Sequence, residues 1–429
     1  MNAKDKQAVS GGDPRQAQGS GWLWALLVCF LVIVLDGFNT TSISFVVPKL
    51  SHDWGFAPAR FTPVFVATNI GAAIGFMISG PLGARFGNRL IGLASVVLFG
   101  GSTLATMFAA DIAGLSALRL VAAIGLGGAL PIAITASAGI IGPKHKVAAS
   151  LLVTTGMSVG AVIGGVTGGP LMSEFGWQSI FVVGGVLPFG LVPVFFRILP
   201  DERHANVSGA AQQTTNPFKV LFKEGLGVYT CLLWAFSFLI FTDVYALLFW
   251  LPTLMPAFGF APDHASVGMA AFSVGGLAGN ILMTVAVAMM TIAGTLRLKS
   301  ALVLGGVLMI LSLGVLSQIA VTPGTTLLLI AVIGAGLVNG IMGQTALAVS
   351  FYPPEIRATG VGWGHAVGRV GSFVGPAIGG ALLSLGWPAR EIVLTAVLPA
   401  AAAILVLGAL ALAGRRTARG FGSTAVAER

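Results

Sequence analysis

The sequence predicts an all-α integral membrane protein with twelve transmembrane helices arranged in two similar six-helix halves. Composition, the placement of positive charge and an internal repeat each support this fold class. Of the 429 residues, 56% are hydrophobic and 9% are charged, and the mean hydropathy is +0.94. Soluble domains carry about 25% charged residues. A porin-type barrel is excluded, because its strands alternate in hydrophobicity, whereas the apolar runs here are continuous.

Twelve apolar runs are long enough to cross the hydrocarbon core of a bilayer, which takes about 20 helical residues. In chain order we place them at 21–48, 61–82, 90–110, 113–139, 146–170, 178–198, 226–256, 266–291, 300–320, 325–351, 358–385 and 389–413. These spans divide the chain into a polar N-terminal tail (1–20), a first half (21–198), a linker (199–225), a second half (226–413) and a C-terminal tail (414–429). The first run is too long for the apolar region of a signal peptide, so we expect no cleavable signal.

Lysine and arginine are distributed as the positive-inside rule requires if both termini are cytoplasmic. Of the 23 such residues, three fall on the outer side and two inside spans. The eighteen on the inner side are Lys4, Lys6, Arg15, Arg85, Arg89, Lys144, Lys146, Arg197, Arg203, Lys219, Lys223, Arg297, Lys299, Arg357, Arg415, Arg416, Arg419 and Arg429. This bias explains the net charge of +9 without nucleic acid as a partner.

The two halves repeat one another. A ladder of glycines at four-residue spacing in the fifth span recurs 211 residues later in the eleventh, and a Gly-Trp pair and a proline follow both ladders. The matched residues are Gly160, Gly164, Gly168 and Gly169 with Gly371, Gly375, Gly379 and Gly380, Gly176-Trp177 with Gly386-Trp387, and Pro188 with Pro399. Glycines at this spacing share one helix face and permit close helix contact. Two halves in the same orientation are the parallel repeat of a rocking transporter.

Five ionisable residues lie inside the predicted spans: Asp36, Arg119, Asp243, His365 and Arg369. Each is a candidate functional residue, because a charge at the bilayer centre costs about 2.5–3.5 kcal/mol on insertion scales. Asp36 lies roughly 16 Å from the outer end of its helix and Arg119 roughly 9 Å, so we expect the two to meet. A nearby arginine keeps Asp36 ionised, and its withdrawal favours the protonated form, which is a physical basis for proton coupling. The alternative is a clamp that only fixes packing.

Arg369 is the expected substrate anchor, because a guanidinium binds a carboxylate bidentately. The alternative is a bond to helix carbonyls or to Asp243. We place Asp243 near the position in the second half that Asp36 has in the first. It is then a partner of Arg369 in the empty state, a second protonation site or a structural residue. His365 precedes Arg369 by four residues on nearly the same face and suits a proton relay, although histidines in helices also serve in packing.

Neutral polar and aromatic side chains complete the expected site. Amide groups are expected to bond a ring hydroxyl or a carboxylate, and aromatic groups to form apolar walls; packing between helices is the alternative for all of them. Beside Arg369 and Arg119, the expected binding residues are Asn39, Gln344, Asn339, Phe38, Tyr245 and Trp363. The sequence holds no metal-site, covalent-enzyme or P-loop motif. We therefore expect no catalytic residue and no cofactor, with an ion gradient as the energy source.

The segment between the second and third spans resembles the cytoplasmic signature of the major facilitator superfamily, G-x-L-A-D-R-x-G-R-R. It reads Gly80-Pro-Leu-Gly-Ala-Arg85-Phe-Gly87-Asn-Arg89. The resemblance implies that Arg85, Gly87 and Arg89 belong to a gating loop. Ala84 stands where the signature has an aspartate and Asn88 where it has an arginine, so the acidic member of the charge cluster is missing.

Within the superfamily, the chain is most similar to the aromatic acid:proton symporters. Asp36-Gly37-Phe38-Asn39 resembles their D-G-F-D motif in helix 1. The other matching blocks are Leu118-Arg119, Gly125-Leu126-Gly127-Gly128-Ala129-Leu130-Pro131, Gln344, Tyr352-Pro353, Arg357, Thr359-Gly360-Val361-Gly362-Trp363 and Gly368-Arg369-Val370-Gly371. The departures are Asn39 for the second acid, Gly139 for a glutamate, His365 for an apolar or amide residue, and Asp243.

The resemblance implies a proton-coupled symporter that imports a small carboxylic acid of the benzoate or hydroxybenzoate type by alternating access. It also implies a bacterial inner-membrane location with both termini cytoplasmic, and we expect a monomer whose partners are the acid, protons and lipid. One alternative is a symporter of a non-aromatic mono- or dicarboxylate of the muconate type. A proton-driven drug exporter would favour surplus membrane carboxylates, whereas two aspartates balance two arginines here. The missing acid at Ala84 leaves a transporter-like ligand sensor open.

Overall fold

The chain folds almost entirely into α-helices. The structure is a computed structural model that describes residues 21–140, 146–198, 221–222, 226–261, 264–293, 296–352 and 354–427. In chain order the helices are α1 (Gly21–Trp54), α2 (Thr62–Phe86), α3 (Asn88–Thr106), α4 (Ile112–Ile140), α5 (Lys146–Phe175), α6 (Gln178–Ile198), α7 (Leu226–Leu254), α8 (Ala265–Ala293), α9 (Leu296–Gln318), α10 (Pro323–Phe351), α11 (Pro354–Ser384), α12 (Ala389–Thr395) and α13 (Val397–Ala427). Short 3-10 helices, Pro58–Phe61 and Met255–Phe258, follow α1 and α7.

The helices coincide with the predicted spans to within a few residues, and the fold class is confirmed. In the described residues, ten helices are long and apolar enough to cross a membrane. The predicted tail 1–20, and the linker 199–225 apart from Leu221 and Phe222, lie outside the described residues. We call the end of the bundle where α1 passes into α2 the outer end, because the charge bias predicts that it faces outward.

The last span differs from the prediction, since it is two helices rather than one. The chain breaks at Ala396 between α12 and α13, and α13 continues to Ala427 through most of the predicted C-terminal tail. Pro399 lies four residues after Thr395, the last residue of α12, and has no N–H group to bond to the Thr395 carbonyl. The Gly-Trp pairs of the two halves are 210 residues apart, whereas Pro188 and Pro399 are 211 apart, so the second half has one additional residue in this region. Beside the break, the Thr395 hydroxyl donates to the Ile392 carbonyl at 2.6 Å.

Helices pack in the same order in both halves. In the first half, α1 packs against α4, α5 and α6, α2 against α4, and α3 against α4 and α6. In the second, α7 packs against α10, α11 and α13, α8 against α10, and α9 against α10 and α13. Both ladder helices end at a glycine with positive φ, Gly176 at 78° and Gly386 at 75°, a conformation that side chains disfavour. The repeat seen in the sequence is therefore a repeat of structure.

Close backbone contacts align the two halves residue by residue. A Cβ atom at Gly160 of α5 would overlap the Val34 carbonyl oxygen of α1. A Cβ atom at Gly371 of α11 would likewise overlap the Phe238 carbonyl oxygen of α7. The α5 and α11 residues are 211 apart, and the α1 and α7 residues 204 apart.

A second contact confirms these two offsets. Gly37 of α1 lies so close to Met157 of α5 that a Cβ atom would overlap the Met157 carbonyl oxygen. In the second half the glycine of this contact lies on α11 rather than on α7. A Cβ atom at Gly368 of α11 would lie 2.9 Å from the ring of Phe241 of α7. Residues 157 and 368 are again 211 apart, and 37 and 241 are 204 apart.

Aromatic contacts join the halves at the outer end. The ring of Phe65 on α2 stacks on Phe249 of α7 with centroids 4.6 Å apart, and meets the edge of Trp250 at 4.9 Å. Trp250 in turn donates through Nε1 to the Pro376 carbonyl of α11 at 2.9 Å. All three rings are buried. This packing closes the outer end between the halves.

Small residues bring helices of the two halves together beside these rings. At Gly380 of α11, a Cβ atom would overlap the Thr62 hydroxyl of α2. At Gly165 of α5, it would lie 2.7 Å from the Cα atom of Ala270 of α8. Both contacts lie in the outer half of the bundle, so the two halves are packed together at that end in this conformation.

Candidate functional site

Asp36 lies on α1 where the first half faces the second. The residue is 7% exposed, and the Thr40 hydroxyl, one turn further along, donates to its Oδ1 at 3.1 Å. Arg369 and Arg119 both lie within electrostatic range of its carboxylate. Arg369 belongs to the other half, so the acid is within range of a cation across the interface between the halves.

Arg119 is fully buried, at 0% exposure, and lies close to α1 without touching the acid. Its Nη2 donates to the backbone carbonyl of Asn39 at 2.8 Å, while Nε and Nη1 have no hydrogen-bond partner. No ion pair of 4 Å or less joins it to Asp36 in the part of the chain that the structure describes. Instead of the expected contact with Asp36, Arg119 bonds to the Asn39 carbonyl one turn nearer the outer end. Its charge attracts the Asp36 carboxylate over a longer distance.

Two residues of the predicted site face neighbouring helices of their own half. The Asn39 amide donates to the carbonyls of Leu35 and of Gly184 on α6, both at 3.0 Å, so it ties α1 to α6. Phe38 packs against α5, where a Cβ atom at Gly164 would lie 3.3 Å from its ring. Both side chains are thus engaged by helices of the first half in this conformation.

Arg369 on α11 is held by an aromatic side chain of α7. Its Nη1 donates to the Tyr245 hydroxyl at 3.2 Å, and this is the one hydrogen bond of the guanidinium within the described residues. Asp243, the partner expected for the empty state, makes no ion pair with it there. A guanidinium that holds one neutral acceptor keeps its remaining N–H groups available for a carboxylate.

An aromatic column leads from this arginine to the outer closure. We give that name to Phe241, Tyr245 and Phe249 of α7 with Phe65 of α2. Successive ring centroids on α7 are 6.1 Å apart, and Phe65 stacks on the last of them. The column was not predicted from the sequence, although the four-residue spacing of its α7 members puts them on one helix face. Its rings are almost fully buried and form a row of aromatic groups beside Arg369.

His365 lies one turn toward the inner end from Arg369. Its Nε2 is 3.0 Å from the Thr345 hydroxyl of α10, and the edge of its ring faces Phe241 at a centroid distance of 6.1 Å. The imidazole is therefore beside the aromatic column and tied to α10. Thr345 was not among the predicted residues, and nothing in its spacing singled it out.

The remaining predicted contacts are spread over the second half. Gln344 is 0% exposed, has no hydrogen-bond partner on either amide atom and packs against Gly364 of α11. Asn339 points at α9, where a Cβ atom at Gly305 would lie 2.9 Å from its Nδ2. Trp363 is 38% exposed, and its ring lies 5.9 Å from that of Trp234. Gln344 lies near His365, whereas Asn339 is turned away from α7 and α11.

Asp243 does not occupy the place of Asp36. Subtracting the offset of 204 residues pairs Asp243 with Asn39, and pairs Asp36 with Ile240. The sequence prediction placed Asp243 near the counterpart of Asp36, and the helix contacts place it three residues further along α7. Asp243 is 2% exposed, and no donor among the described residues reaches its Oδ2.

The signature segment forms a one-residue connection. Gly87, with φ at 92°, links α2 to α3 and bonds back to the Gly83 carbonyl at 2.8 Å. The Arg85 guanidinium lies 5.2 Å from the ring of the adjacent Phe86. Arg89 lies over the ring of Phe196 on α6 at 3.6 Å, a cation–π contact that fixes α3 to the inner end of α6. The side chain of Ala84 lies outside the described residues.

Comparisons with known proteins agree with this architecture. The sequence profile of the Major Facilitator Superfamily matches residues 29–363. The chain is 35% identical to the 4-hydroxybenzoate transporter PcaK of Pseudomonas aeruginosa, with 94% of this chain and 96% of that protein covered. It is 33% identical to the gallate transporter of Pseudomonas putida, covering 92% and 93%. It is also 33% identical to the 3-(3-hydroxy-phenyl)propionate transporter of Escherichia coli, covering 84% and 86%.

Solved structures show the same fold at low sequence identity. A bacterial homologue of the human lysosomal transporter Spinster superposes with a TM-score of 0.71 at 17% identity, covering 92% of this chain and 97% of that one. The nucleoside transporter NupG superposes with a TM-score of 0.72 at 16% identity, covering 91% and 99%. The profile match and the identity to whole relatives lead to one conclusion: this multi-pass membrane protein belongs to the Major Facilitator Superfamily.

Proposed function

We propose that this protein is a proton-coupled symporter that imports a small aromatic carboxylate. The observation that carries the proposal is the placement of Asp36 and Arg369. An acid of the first half lies within electrostatic range of a guanidinium of the second half, and the one hydrogen bond of that guanidinium within the described residues is to Tyr245. The names of its relatives, which transport hydroxybenzoate, gallate and hydroxyphenylpropionate, support an aromatic acid as the substrate.

Arg369 binds the carboxylate in this proposal. The substrate displaces the Tyr245 hydroxyl and takes two parallel N–H bonds, since a guanidinium and a carboxylate match in geometry. The aromatic ring of the substrate then lies against the column beside Arg369. Stacked or edge-to-face aromatic pairs add about 0.5–1.5 kcal/mol beyond apolar burial, which favours an aromatic over an aliphatic acid.

Asp36 carries the proton. While the site is empty, Arg369 and Arg119 favour its ionised form. A bound substrate carboxylate neutralises Arg369, so the attraction of Arg369 for the Asp36 carboxylate is lost and the acid takes a proton. Substrate and proton thus favour each other's binding, which is the requirement for symport.

His365 relays the proton toward the inner side. It lies one turn inward from Arg369, and its hydrogen bond to Thr345 fixes the ring orientation. An imidazole can accept a proton on one ring nitrogen and release one from the other, so it suits this step. The eighteen inner lysines and arginines support an orientation with both termini in the cytoplasm of a bacterial cell.

Uptake into proteoliposomes tests the function. With the outside more acidic than the lumen, labelled 4-hydroxybenzoate should accumulate, and a protonophore should abolish the accumulation. Unlabelled muconate, added as a competitor, tests the dicarboxylate alternative. A dicarboxylate would need a second carboxylate site, and the complete burial of Arg119 argues against such a site at that residue. Binding of aromatic acids without any accumulation would favour a ligand sensor instead.

A further inference from the structure

The alignment of the two halves gives Asp243 a counterpart whose role is visible. Asn39 donates from its amide to the Leu35 and Gly184 carbonyls, and so joins α1 to α6. Asp243 has the same position on α7, which packs against α13 as α1 packs against α6. The counterpart of Gly184 falls at Leu394–Thr395, directly beside the break between α12 and α13.

The surroundings of Asp243 do not suit a carboxylate. The residue is almost fully buried, and its Oδ2 meets no N–H or O–H donor. α8 and α10 carry no charged residue or histidine. The charged or titratable residues on the other helices packed against α7 are Asp36, Lys49, His52 and Asp53 on α1, Glu355, Arg357, His365 and Arg369 on α11, Arg390 and Glu391 on α12, and Arg415, Arg416 and Arg419 on α13. No described ion pair joins any of them to Asp243.

A protonated carboxyl fits this place, because it is similar in shape to an amide and donates one hydrogen bond. An ionised carboxylate needs donors, whereas a protonated one needs an acceptor. Pro188 and Pro399 have no N–H group, so the carbonyls four residues before them, of Gly184 and Thr395, lack their regular helix donors. The second half therefore offers an acceptor at Thr395 where the first half has the Gly184 carbonyl.

We propose that Asp243 stays protonated throughout transport and donates to a backbone carbonyl at the α12–α13 junction. It is the structural counterpart of Asn39, and it carries no proton across the membrane. This inference refines the proposed function, since it leaves Asp36 as the only transmembrane aspartate that exchanges its proton.

Asp243→Asn tests the inference, because the amide keeps the donor and cannot ionise. In proteoliposomes, the initial rate and the ratio of protons to substrate should stay within about twofold of wild type, since one neutral hydrogen bond replaces another. Asp243→Val, which removes the donor at similar size, should lower the thermal unfolding temperature of the purified protein. A coupling role would be shown instead if Asp243→Asn bound substrate normally but no longer accumulated it under a pH gradient.

Infrared spectra decide the protonation state without any transport assay. The difference between wild type and Asp243→Asn should contain the carbonyl band of a protonated carboxylic acid, at neutral and at mildly alkaline pH. Carboxylate bands in that difference would overturn the inference. The result holds whether or not the protein transports aromatic acids, so failure of the proposed function and failure of this inference are distinguishable.

Discussion

Arg369 on α11 donates to the hydroxyl of Tyr245 on α7 at 3.2 Å, so a cation in the membrane is held by a neutral group that a substrate can displace. The hydroxyl orients the guanidinium in the empty site and gives way to a carboxylate. This relationship makes the anchor assignment testable by a conservative change.

Arg369→Lys should weaken substrate binding about tenfold or more, because a lysine ammonium cannot form the paired bonds and a charge-assisted bond is worth about 1.5–3 kcal/mol. Calorimetric titration of the purified protein with 4-hydroxybenzoate measures the loss. Tyr245→Phe is the matched control: it keeps the ring of the column and should change affinity less than about fivefold. Unchanged affinity in Arg369→Lys would remove the anchor role.

Asp36→Asn should abolish accumulation driven by a pH gradient while preserving exchange of labelled for unlabelled substrate across the membrane. The amide cannot take up a proton, yet the halves can still reorient around bound substrate. Wild-type uptake should rise as the outside becomes more acidic, because import requires the protonated acid, and the variant should lose this dependence. Thr40→Val, which removes only the hydroxyl bonded to Asp36, serves as the control. Gradient-driven accumulation by Asp36→Asn would contradict the coupling role.

His365→Gln should reduce the maximal uptake rate and leave the substrate concentration at half-maximal rate unchanged, because the proposed relay acts after binding. The glutamine amide can still bond to Thr345, so packing is preserved. Initial rates across a range of internal pH measure the effect. If rate and pH profile both match wild type, His365 is a packing residue only.

Gly380→Val should slow transport by hindering closure of the outer end. Its side chain would overlap Thr62 of α2, and overpacking of this kind costs about 1–3 kcal/mol, enough to shift the conformational equilibrium about fivefold to 150-fold. Gly362→Val on the same helix is the control, because a Cβ atom there meets nothing within 4 Å. Exchange rates and labelling of introduced outer-end cysteines report the shift. Equal rates in both variants would show that the α2–α11 contact is not part of the cycle.

Sequence alone was sufficient for the spans and the repeat, since both depend on length, hydropathy and glycine spacing. It could not place side chains around each helix. Depth along the axis put Asp36 roughly 16 Å and Arg119 roughly 9 Å from the outer end, but the direction of the guanidinium depends on how α4 is rotated against α1. The same reason explains why Asn39, an expected binding residue, bonds to α6 instead.

Asp243 illustrates a second limit. Its counterpart in the first half depends on an offset of 204 residues that only the helix contacts reveal. An error of three residues in this offset would pair Asp243 with Asp36 instead of Asn39. The sequence likewise has one additional residue between two matched landmarks near Ala396, but the break of the helix there could be seen only in three dimensions.

The aromatic column has a consequence for inhibitor design. Its rings follow one another at 6.1 Å along α7, from the hydroxyl that holds Arg369 to the ring that packs on Phe65. A rigid benzoate with a long para substituent would anchor at one end of this row and insert its other end between Phe249 and Phe65. Such a compound would act as a wedge: it would occupy the protein as a substrate does, prevent the outer rings from meeting, and block uptake without being carried.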